Sequence, residues 1–409
     1  MKGLFLIRIN ASGFRLMNNL TMRLNKLMVS VRNVWVISGI VLLILLIIEI
    51  ILRGVYSYQS KNRDDYRTHA DTYQNAPWVR SYFEEFRQSS RARWEPYLYW
   101  RMMPFTGEYI NIDSPGIRKT WNAGPEPDTL EERPLIFFFG GSAMWGTGAR
   151  DNHTIPSLVA KRLHHTGSTC RVINWGESGY VSSQEMMLLI RQLQKGNNPD
   201  LVVFYDGAND IFSACQQHRA GLPQNEFHRS LEFNASSSFK PEFFWELLSR
   251  RIATIRFLGS ISGKPDPADH PTADPSQHLK PLAPSEVNLM RDAVKIYLNN
   301  VEIVTSLAKQ YNFSVLFYWQ PLIFGKKRLT EYETSEKNKK AMLLPYFAVA
   351  DSILDARSTS KGFPAGFRNL SATFSQTAEP VFIDWCHLGE TGNEKIAEII
   401  VKDIMKAMR

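Results

Sequence analysis

Cysteine is scarce: the 409 residues hold only Cys170, Cys215 and Cys386. A scaffold of several disulfides is excluded, and an oxidising compartment would permit one pair with one thiol left over. Acidic residues are missing from the first 33 positions, where Lys2, Arg8, Arg15, Arg23, Lys26 and Arg32 carry six of the eight net positive charges. The rest of the chain is nearly balanced, so the basic overall charge gives no reason to expect a nucleic-acid partner. No cluster of metal-ligating residues and no glycine-rich phosphate loop occurs, and no metal or cofactor is expected. A small-residue cleavage site is also lacking after the one long apolar run, where Arg53-Gly-Val-Tyr-Ser-Tyr58 follows instead. That favours an uncleaved signal anchor over a removed signal peptide.

The apolar run is Trp35–Leu52, 18 residues interrupted only by Glu49. This is about the minimum for a helix that spans a bilayer. Glu49 lies near its far end, where a carboxylate can reach the interface. The positive-inside rule places the basic N-terminus in the cytoplasm and everything after about residue 55 outside it. The expected organisation is a basic segment at 1–33, a single-pass anchor at 34–54, a stalk and aromatic extension at 55–132, and a main domain at 133–409. Residues 57–75 read as a short polar stalk. From Tyr73 to Tyr109 there are eleven aromatic residues, too many for a flexible linker. A helix near 76–92 and extended segments packed on the main domain are expected there, with a turn at Asp113–Gly116 and a loop at Glu126–Glu132.

From Pro134 onward strands alternate with helices. Strands are expected at 135–139, 171–174, 201–205, 313–319 and 381–383. Helices are expected near 154–165, from a capping box at Ser182-Ser-Gln-Glu185 to Gly196, and at 285–310, 338–354 and 391–408. The pattern is that of an α/β fold with three α/β/α layers and a mostly parallel, flavodoxin-like five-stranded sheet. Insertions fall at about 213–284, which is rich in proline, and at 320–378. The Lys326-Lys-Arg328 run in the second reads as a solvated loop.

Four loops that leave strands carry polar groups toward one edge of the sheet. The first is Gly140-Gly141-Ser142, where two glycines leave room beside a small nucleophile. The second is Asn174-Trp-Gly-Glu-Ser-Gly179, whose Gly179 can present a backbone N–H. The third, Gly207-Ala-Asn209-Asp210, offers the Asn209 amide. The fourth, Asp384-Trp-Cys-His387, sets an acid three residues before a histidine. Each alone is compatible with ordinary turn chemistry. Together they supply the nucleophile, base, orienting acid and oxyanion donors that acyl transfer needs.

In these four blocks and their order the chain resembles the SGNH (GDSL-type) hydrolases over about residues 133–409, the insertions excepted. The resemblance implies Ser142 as nucleophile, His387 as base and Asp384 as its orienter. It further implies an oxyanion hole made of the Ser142 N–H, the Gly179 N–H and the Asn209 side chain. One departure is visible: the family's Gly-Asp-Ser is Gly140-Gly141-Ser142 here. The implied activity is hydrolysis of an acyl ester. With the anchor, the expected substrate is an acylated cell-envelope molecule, such as an O-acetylated polysaccharide. An O-acyltransferase using the same serine, or an inactive envelope-assembly module on the same fold, are the rival readings. If Asn209 and His387 converge on one carbonyl, Cys215 and Cys386 come within the roughly 4.4–6.8 Å that a disulfide requires. A Cys215–Cys386 bridge and two small buried thiols are then the alternative readings, with Cys170 at the opposite sheet edge.

Overall fold

The computed structural model describes residues 11–62, 64–123, 133–226, 229–230, 233, 252–255, 257, 281–358 and 363–408. The expected loop at Glu126–Glu132, most of the 213–284 insertion and the first ten residues lie outside them. The chain divides into two units, Met1–Arg63 with Ser238–Pro271, and Asp64–Ser237 with Thr272–Arg409.

The first unit contains helix α1, Ala11–Asn62, within which Asn19–Tyr58 is long and apolar enough to cross a membrane. From Leu20 to Ile51 its large apolar side chains are exposed. Glu49 accepts hydrogen bonds from the N–H groups of Ala253 (3.0 Å) and Thr254 (2.9 Å), and pairs with Arg53 at 2.7 Å.

The second unit begins with two 3-10 turns, Tyr66–His69 and Asp71–Tyr73, and helix α2, Val79–Ser89. The stretch expected as a stalk is therefore helix up to Asn62 and packed chain after it. Ala70, Thr72 and Tyr73 are buried, and the Tyr73 hydroxyl donates to Gly148 O at 2.7 Å. The reason is the aromatic content, since Tyr73, Tyr82 and Phe83 share a buried cluster with Trp145 and Ile383. Two antiparallel ribbons follow: β1 (Ala92–Glu95) with β2 (Tyr99–Met102), and β3 (Phe105–Thr106) with β4 (Asn111–Ile112). The expected turn closes through Gly116 N–H to Asp113 O.

The central sheet has five parallel strands: β5 Leu135–Gly140, β6 Arg171–Asn174, β7 Leu201–Asp206, β8 Ser314–Trp319 and β9 Phe367–Asn369. Their spatial order is β6-β5-β7-β8-β9, the flavodoxin-like arrangement. Every residue of β5 and β7 is buried because helices cover both faces. Phe137, Phe139 and Phe204 face one core layer, while Ile136, Phe138 and Tyr205 face the other. Stacking of Phe139 on Phe204 (5.1 Å) and of Phe204 on Phe317 (5.3 Å) runs across three strands. Each such phenyl ring contributes about 1.5–3 kcal/mol through burial. The connecting helices are α3 Ser142–Trp145, α4 Ile155–His165, α5 Ser182–Gln194, α6 Ala208–Gln217 and α7 Pro284–Tyr311. After β8 come α8 Glu331–Lys339, α9 Leu344–Ser358 and α10 Glu390–Ala407.

Four expectations need correction. The fifth strand is β9, inside the supposed excursion, and not Val381–Ile383. The latter is an apolar, buried segment whose backbone is occupied elsewhere: Glu333 accepts from Val381 and Phe382 N–H, and Ile383 N–H donates back to His387 O. Burial of such a run looks like a central strand in sequence. The helix expected at 338–354 is two helices, the second starting just before Pro345, where the missing N–H costs nothing. The residue preceding α5 is Val181, whose N–H donates to Gln184 Oε1; Ser182 is already helical and turns its hydroxyl to Asp210. Finally Lys326 is not solvated: it is 1% exposed and paired with Glu333 at 2.5 Å.

Beneath the sheet edge lies a buried acidic cluster of Glu185 on α5, Asp206 at the end of β7 and Asp210 on α6. Asp210 accepts from the Ser182 hydroxyl (2.6 Å) and N–H (3.1 Å), and Asn300 Nδ2 donates to the same hydroxyl at 2.9 Å. Burial pushes the Glu185 and Asp206 carboxyls up, and for Glu185 the neighbouring Asp206 and Asp210 add to the rise. The folded protein thus retains a proton that the unfolded chain loses near pH ~4. Stability then falls as pH rises from that value through the raised folded one. Glu185→Gln is expected to flatten the decline of the urea midpoint between about pH 5 and pH 8. Identical pH slopes for wild type and variant would contradict this.

Candidate active site

Ser142 stands where β5 stops. A Cβ on Gly140 would lie 2.6 Å from Met144 Cβ and 2.7 Å from Tyr205 O, so only glycine lets the chain turn this tightly into α3. The Ser142 carbonyl accepts from Gly146 and Thr147 N–H, both at 3.0 Å. The far end of this turn rests on Arg118, fully buried, which donates to Gly146 O (2.9 Å) and Ala149 O (2.7 Å) and pairs with Asp151 at 2.9 Å. Its guanidinium lies over the Trp145 ring, 4.3 Å from the centroid.

The fourth block comes to the serine from the other side. His387 Nε2 is 2.6 Å from Ser142 Oγ, and His387 Nδ1 is 2.6 Å from Asp384 Oδ2. The other carboxylate oxygen accepts from the N–H groups of Cys386 (2.9 Å) and His387 (2.8 Å). Burial opposes the Asp384 charge. His387, Arg67 and the Cys386 N–H outweigh that penalty and hold the carboxyl well below the usual carboxylate range. The segment itself is fixed from below by Glu333, which receives Lys326 as well as the two amides, and by Tyr332, whose hydroxyl donates to Ile383 O at 2.7 Å. Such a chain of serine, imidazole and carboxylate can move the hydroxyl proton onto the ring.

The second and third blocks close the other side. Gly179 has φ +78, and Gly141 is so close to Asn209 that a Cβ there would collide with Asn209 Nδ2. The Gly-Gly-Ser departure is thereby accounted for: the space beside Gly141 is filled by the Asn209 amide. Asn209 Nδ2 donates to Tyr180 O at 2.7 Å, and Gln224 Nε2 donates to Asn209 Oδ1 at 3.2 Å. The remaining Nδ2 proton is free to serve an incoming group. The Gly179 loop is tied to the N-terminal ribbons. Glu177, fully buried, accepts from Met102 N–H at 3.0 Å and faces Arg101 at 3.4 Å, and Trp100 Nε1 donates to Ser178 O at 2.9 Å.

All five residues singled out from sequence for this site therefore fall within two neighbouring sets of contacts: Ser142, Asp384 and His387 in one, Asn209 and Gly179 in the other. The cysteine bridge does not form. Cys170, Cys215 and Cys386 are free thiols. Cys215 sits on helix α6, not in a loop, and Cys386 turns its sulfur toward His387 Nδ1 at 3.5 Å. Asp384, Cys386 and His387 bring three donor atoms within 4.8 Å of one another. A guanidinium beside the carboxylate disfavours a cation there. That guanidinium belongs to Arg67, whose Nη1 is 3.8 Å from Asp384 Oδ2. Sequence reasoning missed Arg67 and Gln224. Neither has a spacing rule: one follows the apolar helix in a stretch that reads as polar linker, the other lies in the long insertion.

Residues 136–400 match a family model described as GDSL-like Lipase/Acylhydrolase. Among solved structures, the chain is similar to an acetyl xylan esterase at 14% identity, over 67% of this chain and 100% of that one, with a TM-score of 0.34. It is similar to an acetylxylan esterase from Geobacillus stearothermophilus at 14% identity, over 66% and 94%, with a TM-score of 0.33. A member of the lipolytic G-D-S-L family from Veillonella parvula aligns at 11% identity, over 66% and 96%, with a TM-score of 0.35. No curated protein matches.

Proposed function

This chain belongs to the GDSL-like lipase/acylhydrolase family of ester-hydrolysing enzymes, and we propose that it is a membrane-anchored serine esterase acting on an acyl group of a cell-envelope glycan, an O-acetyl ester above all. The observation that carries the reading is the unbroken relay Ser142 Oγ–His387 Nε2 (2.6 Å) and His387 Nδ1–Asp384 (2.6 Å). Ser142 Oγ attacks the ester carbonyl as its proton passes to His387 Nε2. Negative charge develops on the carbonyl oxygen, where the N–H groups of Ser142 and Gly179 and the Asn209 amide receive it. Collapse breaks the ester C–O bond, His387 gives its proton to the departing alcohol, and the acyl group stays on Ser142. Water, deprotonated by His387, then attacks the acyl-serine, and the acid leaves with the serine restored.

The anchor reading is supported by the length and composition of Asn19–Tyr58 and by the basic residues that precede it. In sequence, only three residues separate the end of that helix at Asn62 from the Tyr66–His69 turn that reaches Asp384. Spheroplasts treated with external protease should lose the chain beyond about residue 60 and keep the basic N-terminus. An Asn10→Cys variant that is labelled from outside would contradict the orientation.

With 4-nitrophenyl acetate as substrate for the detergent-solubilised chain, Ser142→Ala and His387→Ala should each abolish turnover and keep the wild-type melting temperature. Asn209→Ala should lower kcat by roughly 10²–10³. Gln224→Ala should lower kcat by about tenfold with KM unchanged, because it releases the Asn209 carbonyl that fixes the amide's direction. Full activity in Ser142→Ala would end the reading. Supplying an acetylated glycan with a second sugar acceptor separates hydrolysis from transfer: free acetate supports the esterase, acetylated acceptor the transferase.

A further inference from the structure

Arg67 lies outside residues 136–400, the region matched by the family, yet it is the cation nearest the relay among the described residues. Its side chain is only 13% exposed. Asp65 holds it from one side with two bonds, Oδ1 to Nε at 2.9 Å and Oδ2 to Nη2 at 2.7 Å. The rings of Phe83 and Phe86 flank it at 4.9 and 5.0 Å. Asp65 also accepts from the Arg67 N–H at 3.0 Å, so the residue that caps the 3-10 turn is the one that aims the guanidinium. What remains of its fork is directed at Asp384 Oδ2, the same oxygen that receives His387 Nδ1.

We propose that Arg67 is a positioning residue of the catalytic centre: it clamps the Asp384 carboxylate and shares its charge, so that protonated His387 readily surrenders its proton to the leaving alcohol. This rests on the esterase reading. A carboxylate alone behind the imidazole favours the imidazolium, whereas a guanidinium at 3.8 Å takes up part of that negative potential. Burial penalises the guanidinium itself, but Asp65 and Asp384 keep it charged, above its ordinary range. Other titratable groups face the same carboxylate: Tyr66 and Tyr73 from the N-terminal turns, Tyr332 and Glu336 from α8. Cys386 faces it from its own segment, with Lys340 nearby. Tyrosines and a buried thiol stay neutral at working pH. Glu336 is countered by Lys339. Arg67 is thus the group whose removal changes the charge at Asp384 most directly.

The test is the histidine titration of the isotopically labelled full chain in micelles, followed by NMR, beside the pH profile of kcat/KM. Arg67→Met should raise the His387 midpoint above the wild-type value and carry the acid limb of kcat/KM upward with it. Arg67→Lys, which keeps the charge, should restore most of the wild-type value. Asp65→Asn keeps a capping side chain and frees the guanidinium to act on Asp384 alone, so it should move the midpoint down; it serves even if Arg67→Met does not fold. Midpoints unmoved in both Arg67→Met and Asp65→Asn, or an equal rise in the Lys and Met variants, would overturn the proposal. Shifted midpoints in a protein that hydrolyses no ester would support the charge coupling and sink the esterase reading instead.

Discussion

A histidine can take a proton from a serine and give it back only if the carboxylate behind it is both charged and still. In the proposed relay that carboxylate is Asp384, buried and held charged by the groups around it. Two backbone N–H groups point at one oxygen, the imidazole at the other, and a guanidinium stands beyond. A buried, unpaired carboxylate would cost several kcal/mol. The local chain meets that cost by folding its own amides onto it. The segment that bears Asp384 and His387 is not a strand of the sheet, so it needs another support, and the buried Lys326–Glu333 pair supplies it. Breaking such a pair is far more damaging than replacing it whole.

The sheet sets the rest. β5, β7 and the segment after β9 end at one edge, where helices α3 and α6 open with Ser142 and Asn209 in their first turns and the segment itself carries His387. Backbone geometry decides the fit at two glycines: Gly140, which lets the chain turn against Met144 and Tyr205, and Gly141, which yields its side-chain space to Asn209. The N-terminal ribbons complete the edge. Arg101 and Met102 hold Glu177, Trp100 holds Ser178, and Arg118 holds the end of the serine turn. These contacts make residues 64–123 part of the same unit as the sheet.

Much of this was legible in the sequence, and the failures have physical causes. Continuous apolar runs such as Leu135–Phe139 and Leu201–Tyr205 announce strands covered on both faces; Ser142 and Asn209 stand out at the ends of those strands, and Asp384 and His387 by their spacing alone. Val381–Ile383 misled because burial, not pairing, demands its apolar residues. Phe367–Asn369 leaves no mark in the sequence because three residues of mixed polarity carry no period. Lys326 looked solvated because the Glu333 that neutralises it is a helical residue seven positions on, in a separate element. Arg67 and Gln224 act across the fold, and a single sequence holds no trace of a contact made at that distance. The Cys215–Cys386 bridge failed for a similar reason: convergence of two loops fixes neither which way a side chain turns nor that Cys215 is on a helix.

The central claim is that Ser142 is an activated nucleophile, and a serine-directed fluorophosphonate addresses it without any assumption about substrate. Incubation of the full chain followed by peptide mass mapping should give a single adduct, on Ser142, that is lost in His387→Ala. No adduct under those conditions, or an adduct on another serine that persists in His387→Ala, would contradict the account.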